Sequence, residues 1–350
     1  PAWSLETPPL SLGLLAGALK SKGRDVKQFH INLTSAMHVD YDTHQELWAP
    51  TGHFLWTNDH SFEDRILPLY GEYWDTLIEE LSTYDIVTFT TYFSNIVVTD
   101  YIAERVYKKN PDVHIFYGGP YCWNAPHGGL RISHPLEESD RDWIKVSCDT
   151  EGELIINDLV DCYENNESYG KVKGIWVWGE NKKPRFTGMR IPQKDLDVIP
   201  SPNWEGVEIQ NYAPYHYEGH AHLPLQGSRG CTYKCTFCDV PIKTHRRRDP
   251  KLVVDEMATC VSQGYEEIHF YDDLFNITPQ RVIDICDEID KRGLKVTWDY
   301  RGRVNGVDEE TIKRFKRSSG RMLSFGMATS SEEGLKMKRK GSKVKENIEA

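Results

Sequence analysis

The strongest constraint on the fold is an alternation of strand and helix patterns that begins at residue 223. Short apolar runs typical of strands are separated by segments whose apolar residues recur at helical spacing. The predicted strands are Leu223–Gln226, Glu267–Tyr271, Lys295–Tyr300 and Met322–Phe325, and the predicted helices are Pro250–Ser262, Pro279–Lys291 and Glu309–Arg317. Such alternation predicts a parallel α/β layer or barrel.

A second pattern of this kind lies in the N-terminal half. The sequence predicts a strand over Asp85–Thr91, a helix over Val97–Lys108 and a strand over Val113–Tyr117, which is the spacing of a right-handed parallel crossover unit. Ligands of parallel sheets bind at the carboxyl ends of the strands, so the loop from Thr88 to Ser94 and the pair Gly118-Gly119 are candidate cofactor contacts. An ordinary tight turn would also explain the two glycines.

Two domains are expected for 350 residues, which exceed what one hydrophobic core usually organises. A Pro-rich stretch with little regular pattern predicts a linker over 195–222, so the expected domains are 1–194 and 223–350. A helix over Leu10–Leu19 and a strand over Asp25–Ile31 begin the first domain. Residues 32–80, rich in Trp, Tyr and His, have weak periodicity and are expected to form an insertion.

Composition narrows the classes of partner. The formal net charge of -11 argues against binding to nucleic acid, which needs clustered Lys and Arg. No apolar stretch approaches the roughly 20 residues of a membrane-spanning helix, and no secretion signal is evident at the N-terminus. We therefore expect a cytoplasmic protein that acts on a small molecule or a peptide, without nucleic-acid or membrane partners.

The cysteines are distributed unevenly. Of eight in the chain, Cys231, Cys235 and Cys238 fall within eight positions, spaced C-x3-C-x2-C directly after a predicted strand. Three thiolates on one loop can each bind one iron of a cubane cluster, which leaves the fourth iron open. A zinc ion completed by His245 is one alternative, although six residues separate His245 from Cys238. Inert buried thiols are another.

The segment C-x3-C-x-aromatic-C after Ser228-Arg229-Gly230 resembles the cluster loop of the radical S-adenosylmethionine (SAM) superfamily. Further stretches resemble, in order, the cobalamin-binding branch of that superfamily; they include Pro8-Pro9-Leu10, Gly118-Gly119-Pro120, Glu151-Gly152-Glu153, Asp195-Leu196-Asp197 and Asp272-Asp273-Leu274-Phe275. The resemblance implies a Rossmann-like cobalamin-binding domain followed by a partial (β/α) radical SAM barrel. It also implies that the chain is truncated at both ends, because the family has already completed a first strand before the position of Pro1 and has two further barrel strands after the fourth.

By this resemblance, the three cysteines hold a 4Fe-4S cluster, and the open iron binds SAM, whose reductive cleavage gives a 5'-deoxyadenosyl radical. An electron donor such as flavodoxin or ferredoxin is then implied. Further SAM contacts are expected from Phe237, Asp273, Arg303 and Ser324. A solvated turn or helix cap would equally explain Asp272 and Asp273.

The resemblance also implies a cobalamin face formed by Thr88, Ser94, Gly118, Gly119, Glu151 and Gly152. The cobalt-ligating motif D-x-H-x-x-G is absent, because the nearest match, Asp42-Thr43-His44, has Leu47 in place of the glycine. Ala328 stands where the family usually has a glutamate that contacts SAM.

Three functions remain open from the sequence. The first is a radical SAM enzyme, with cobalamin-dependent methyl transfer to an unactivated carbon if cobalamin binds. The second is a radical SAM enzyme for ring formation, oxidation or rearrangement of a peptide or natural-product precursor. The third is a non-catalytic module with a structural metal site. The sequence identifies no catalytic residue beyond the cofactor contacts.

Overall fold

Two compact units make up the computed structural model, which describes residues 5–123, 136, 141–216, 219, 221–238 and 240–350. The first unit contains the described residues of 1–192 together with 202–207, and the second contains those of 193–201 and 208–350. Because residues 193–201 and 202–207 belong to different units, the segment that was predicted to be a linker is shared between them.

The first unit is built on a five-stranded sheet of order β1-β2-β3-β4-β5. Its strands are β1 (Ile86–Thr90), β2 (His114–Gly118), β3 (Ile144–Cys148), β4 (Ile175–Trp178) and β5 (Pro184–Phe186). The first three strands are parallel, and β4 and β5 add antiparallel at the edge. The strand, helix and strand predicted between residues 85 and 117 are therefore confirmed, whereas the sequence analysis missed β3, β4 and β5.

Seven helices accompany this sheet among the described residues. They are α1 (Leu10–Lys20), α2 (Ile31–His38), α3 (His53–Thr57), α4 (Asp59–Ser61), α5 (Leu67–Leu81), α6 (Ile96–Lys109) and α7 (Glu153–Glu164). The strand predicted over Asp25–Ile31 is wrong, because residues 24–30 have no regular structure and α2 begins at Ile31. None of the strands that the structure describes pairs with this segment.

Aromatic side chains of the segment 32–80 pack together in a buried cluster. The indole of Trp74 is fully buried and stacks on Tyr70 and Phe62, with ring centroids 5.0 and 5.9 Å apart. The indole nitrogen lies 3.3 Å from the Ser35 hydroxyl, to which it donates a hydrogen bond. A short π-helix, Phe62–Ile66, interrupts this helical region. Aromatic packing of this kind explains the high Trp and Tyr content that gave no clear periodicity.

The second unit contains a four-stranded parallel sheet of order β11-β10-β9-β6. Its strands are β6 (Leu223–Leu225), β7 (Ser228–Arg229), β8 (Arg246–Arg247), β9 (Glu267–Phe270), β10 (Thr297–Gly302) and β11 (Gly320–Phe325), of which β7 and β8 form a separate antiparallel pair. Its helices are α8 (Pro250–Ser262), α9 (Pro279–Arg292), α10 (Glu309–Arg317), α11 (Glu332–Met337) and α12 (Val344–Glu349). The predicted α/β class is confirmed, and α8 and α10 have the predicted bounds.

Alternation along β10 assigns its two faces. Trp298 and Tyr300 are buried and pack against Phe315 of α10, with centroids 4.7 and 5.3 Å apart. Successive residues of a strand point to opposite faces, so Asp299 and Arg301 lie on the face away from the helix. None of the described helices is long and apolar enough to cross a membrane.

Candidate functional site

The three clustered cysteines lie on a loop that connects β7 to β8, residues 230–245, which we call the thiol loop. Backbone hydrogen bonds fix both of its sides: the amide of Cys231 donates to the carbonyl of Ile242 at 3.1 Å, and that of Thr236 donates to the carbonyl of Lys338 at 3.1 Å. The thiol loop comes after the sheet strand β6 in the chain. The residues that contact it come after the sheet strands β9, β10 and β11. It therefore lies at the carboxyl edge of the parallel sheet, where α/β proteins bind ligands.

Gly230 sets the path of the chain into the thiol loop. Its φ is 82°, a conformation that L residues rarely adopt, and a Cβ atom there would lie 2.2 Å from the carbonyl oxygen of Thr244. Only glycine allows the two sides of the loop to approach so closely. The Gly230 amide donates a hydrogen bond of 2.7 Å to the Asp273 carboxylate.

Two neighbouring carboxylates after β9 hold the residues that precede the first thiol. Asp272 accepts hydrogen bonds from the amide of Gly227 at 2.8 Å and from the hydroxyl of Ser228 at 2.5 Å. Burial raises the pKa of Asp272 to about 7, against the opposing effect of those two donors. The solvated-turn alternative for this pair is therefore wrong for Asp272, which is buried. Asp273 binds Gly230 as described, and its contact with SAM stays a prediction.

The three thiols form a series in exposure. Cys231 is buried, Cys235 is half-buried and Cys238 is exposed, whereas the other five cysteines are all buried. Burial raises the pKa of the Cys231 thiol, and it raises that of Cys260, far along the chain, to about 12. The thiol loop alone therefore combines clustering with access, as a metal centre assembled after folding requires.

The donors around the thiol loop bear on which kind of metal centre it could hold. Within the part of the chain that the structure describes, no three His, Cys, Asp or Glu side chains are close enough together to hold one ion. A zinc site needs such convergence, whereas the thiolates of a cubane each bind a different iron. His245, the suggested fourth zinc ligand, lies with its Nε2 2.9 Å from the Leu274 carbonyl oxygen. The side chain suggested to complete a zinc site thus has a backbone partner.

Two cationic side chains face the thiol loop. The Arg303 guanidinium stacks on the ring of Tyr233 at 3.6 Å, and its Nη1 lies 3.8 Å from the Sγ of Cys235. Its Nη2 donates to the carbonyl of Lys340. Burial and the charge of Arg303 lower the pKa of the Lys340 ammonium, while the three cysteines oppose that effect. Positive charge is thus concentrated beside the sulfur atoms.

The remaining predicted SAM contacts lie at the same edge of the sheet. Phe237 is 52% exposed, and its ring lies 5.3 Å from the Nζ of Lys338 and 5.6 Å from that of Lys340. Ser324 is on β11, paired with Arg301 of β10. Their contacts with SAM stay predictions. Tyr233 and Lys340 could not be predicted from local sequence, since their role depends on contacts between segments about a hundred residues apart in the chain.

In the first unit, the structure brings the ends of β1 and β2 together. The amide and hydroxyl of Thr91 donate to the Gly118 carbonyl at 2.6 and 2.7 Å. Gly119 has φ 96°, and a Cβ atom there would lie 2.7 Å from the carbonyl oxygen of Thr91. The tight approach explains this glycine by backbone geometry. Thr91, which links the two strands, was not singled out by the sequence analysis.

The other residues of the predicted cobalamin face occupy comparable places. Ser94 is in the turn between β1 and α6, and Glu151 and Gly152 lie between β3 and α7. Thr88 lies within β1, two residues before its end. His44 lies in the helical insertion rather than after a strand of the sheet. Their role in binding cobalamin stays a prediction.

Comparison with known proteins identifies the class. Residues 225–350 match the model of the radical SAM superfamily. The fold is similar to that of OxsB, a cobalamin-dependent SAM radical enzyme whose structure was solved with aqua-cobalamin and SAM bound. The similarity covers 98% of this chain and 45% of OxsB, with a TM-score of 0.69 and 20% sequence identity. Residues 225–350 therefore form a radical SAM domain, and the 4Fe-4S cluster and SAM are the cofactors of that family.

Two curated relatives refine this assignment. An uncharacterized methyltransferase of Pyrococcus horikoshii is 27% identical over 76% of this chain and 56% of its own length. The anaerobic magnesium-protoporphyrin IX monomethyl ester cyclase of Rubrivivax gelatinosus is 27% identical over 80% of this chain and 53% of its own. The chain thus spans about half the length of these relatives. Its α/β fold is similar to that of the solved enzyme OxsB, at 20% sequence identity.

Proposed function

We propose that this chain is the SAM-cleaving part of a cobalamin-dependent radical SAM methyltransferase. The observation that carries the proposal is the thiol loop, which presents three thiols of graded exposure at the carboxyl edge of a parallel sheet. The Arg303 guanidinium lies 3.8 Å from the Cys235 sulfur, which suits a cluster that gains negative charge on reduction.

Each part of the site has a separate task in this proposal. Cys231, Cys235 and Cys238 would bind three irons of a 4Fe-4S cluster and leave the fourth without a protein ligand. When bound there, SAM supplies a 5'-deoxyadenosyl radical after one-electron reduction by a donor such as flavodoxin or ferredoxin. Asp272 and Asp273 keep the entry to the loop in place through Gly227, Ser228 and Gly230. The protein thus contributes orientation, and the cofactor contributes the chemistry.

Methyl transfer is the finer part of the proposal. The strand-end surface of the first unit, which contains Ser94, Gly118, Gly119 and Gly152, would hold cobalamin. Support comes from the solved relative that contains aqua-cobalamin, and from the methyltransferase among the curated relatives. Because the chain lacks the D-x-H-x-x-G motif, no histidine of this kind would bind the cobalt. The substrate would be a small molecule or a peptide with an unactivated carbon.

A second candidate is a radical SAM cyclase, oxidase or rearrangement enzyme that acts without methyl transfer. The relative from Rubrivivax gelatinosus, a cyclase by name, favours it. Both candidates use the same cluster, so the fate of the methyl group separates them. Methylcobalamin formed from SAM with a labelled methyl group would support the methyltransferase, and its absence in the presence of bound cobalamin would favour the alternative.

The shared part of both candidates is tested by anaerobic reconstitution with iron and sulfide, followed by electron paramagnetic resonance of the reduced protein. We expect a 4Fe-4S signal that changes when SAM is added, and formation of 5'-deoxyadenosine. A protein that binds zinc in place of iron, with no SAM cleavage, would instead indicate a structural module.

Cys235→Ala and Cys260→Ala form a matched pair for the ligand assignment. Cys235 lies on the thiol loop, whereas Cys260 is buried in α8. We expect the first variant to lose most of its iron and the second to keep it, as measured by iron content per chain. Equal iron loss in both variants would contradict the three-cysteine assignment.

A further inference from the structure

The contacts of Arg303 differ from those expected of a residue that is reserved for SAM. Its guanidinium is engaged on every side by the protein: it stacks on Tyr233, its Nε lies 3.4 Å from the Asn305 side chain, and its two terminal nitrogens reach Cys235 and the carbonyl of Lys340. Arg303 is also buried. A buried guanidinium with these partners has little freedom to turn toward a ligand.

Asn305 extends this arrangement into a closed network. Its amide donates to the Tyr233 hydroxyl at 3.2 Å and to the carbonyl of Gly341 at 3.2 Å. These bonds join the turn after β10 both to the thiol loop and to the segment 338–341. The thiol loop also contacts that segment directly, through the amide of Thr236. Three segments distant in sequence thus hold the Arg303 charge at a fixed place beside the thiols.

Lys340 adds a second charge at the same place. Its Nζ lies 5.6 Å from the ring of Phe237, the residue that precedes Cys238, and would lie 3.4 Å from a Cβ atom built on Gly326. Lys340 is half-buried, so its charge is screened less than that of a fully exposed lysine. Lys336, four residues earlier on α11, is exposed and serves as a comparison on the same segment.

We infer that Arg303 and Lys340 raise the reduction potential of the cluster held by the thiol loop, in addition to keeping that loop in place. This inference rests on the proposed function, because it requires the cluster. One-electron reduction adds a negative charge to the cluster, and nearby positive charges stabilise the reduced form more than the oxidised form. An N–H donor directed at a ligating sulfur acts in the same direction. Both residues are positioning residues, since neither has to touch the reacting atoms.

The size of the effect follows from the distances. The oxidised and reduced states of the cluster differ by one charge. A unit charge within several ångströms of such a partly buried site shifts the equilibrium between them by about tenfold or more. For a one-electron couple, tenfold corresponds to about 59 mV. Lys340→Met removes a charge without removing the contact at Cys235, and Arg303→Met removes both. Arg303→Lys keeps the charge and loses the stacking and the hydrogen-bond fork.

The experiment is a redox titration of the reconstituted chain, monitored by electron paramagnetic resonance, with iron content measured in each sample. We expect the ratio of reduced to oxidised cluster at a fixed potential to fall about tenfold in Lys340→Met, at least as much in Arg303→Met, and less in Arg303→Lys. The control Lys336→Met should titrate like the unaltered chain.

The possible results distinguish a failure of this inference from a failure of the proposed function. If Arg303→Met fails to take up iron, the titration of Lys340→Met decides the question. A loaded cluster whose potential is the same in Lys340→Met as in the unaltered chain would overturn this inference and leave the proposed function intact. An unaltered chain that binds no cluster would overturn the proposed function and this inference with it.

Discussion

Gly230→Ala tests whether the path of the backbone, as well as the three thiols, is needed for the cluster. The new Cβ atom would lie 2.2 Å from the Thr244 carbonyl oxygen, a backbone atom that cannot move independently of the loop. The two sides of the thiol loop must then separate. Separation weakens the hydrogen bond from Gly230 to Asp273 and that from Cys231 to Ile242.

The expected cost is a sum of three parts. An L residue at a left-handed φ costs about 1–2 kcal/mol. The lost neutral hydrogen bond costs about 0.5–1.5 kcal/mol, and the one to a carboxylate costs about 1.5–3 kcal/mol. The loop geometry proposed to bind iron is therefore destabilised by about 3–6.5 kcal/mol, which lowers the apparent affinity for the cluster about a hundredfold or more.

Gly293→Ala is the matched control. Gly293 ends α9 with φ 59°, but nothing lies within 4 Å of its missing Cβ atom. This variant has the cost of the left-handed conformation alone, about 1–2 kcal/mol in the free energy of unfolding, and should keep its iron. The assay is iron and sulfide per chain after anaerobic reconstitution, beside urea unfolding. If Gly230→Ala retains as much iron as Gly293→Ala, the steric reasoning is refuted.

Two further predictions concern stability. Burial raises the pKa of Asp272 from 3.8 to about 7, so the folded chain retains a proton there that the unfolded chain releases; the free energy of unfolding should therefore fall as the pH rises between about 4 and 7. Asp272→Asn should flatten that part of the profile, and parallel urea-unfolding profiles for the two proteins would contradict this. Trp74→Ala should lower the unfolding free energy of the first unit by about 3–5 kcal/mol, because it empties a fully buried aromatic stack. Phe54→Ala, at a side chain that is 51% exposed, should cost far less, and similar urea midpoints for both variants would count against the packing argument.

The secondary structure was predicted best where the signals are local. Helix α8 has Asp249 as its N-cap and proline at its start, and the Asp249 side chain accepts a hydrogen bond from the Lys251 amide as the sequence suggests. The prediction failed where pairing between strands decides the outcome. Residues 25–31 have a strand-like pattern but no partner strand, whereas Ile144–Cys148 becomes a strand because β2 and β4 lie on either side of it.

The sequence by itself determined which cysteines form the candidate metal motif and in what order, because three thiols within one short loop need no tertiary information to be recognised as such a motif. It also determined the α/β class, since hydrophobic period depends only on neighbouring residues. The tertiary structure decided how the site is supported. Arg303 and Lys340 are far from the thiols along the chain, and the fold alone brings their charges beside them. It likewise brings Asp272 to Gly227 and Ser228, which precede the thiol loop. Electrostatic interactions depend on distance in space, which the order of residues does not give.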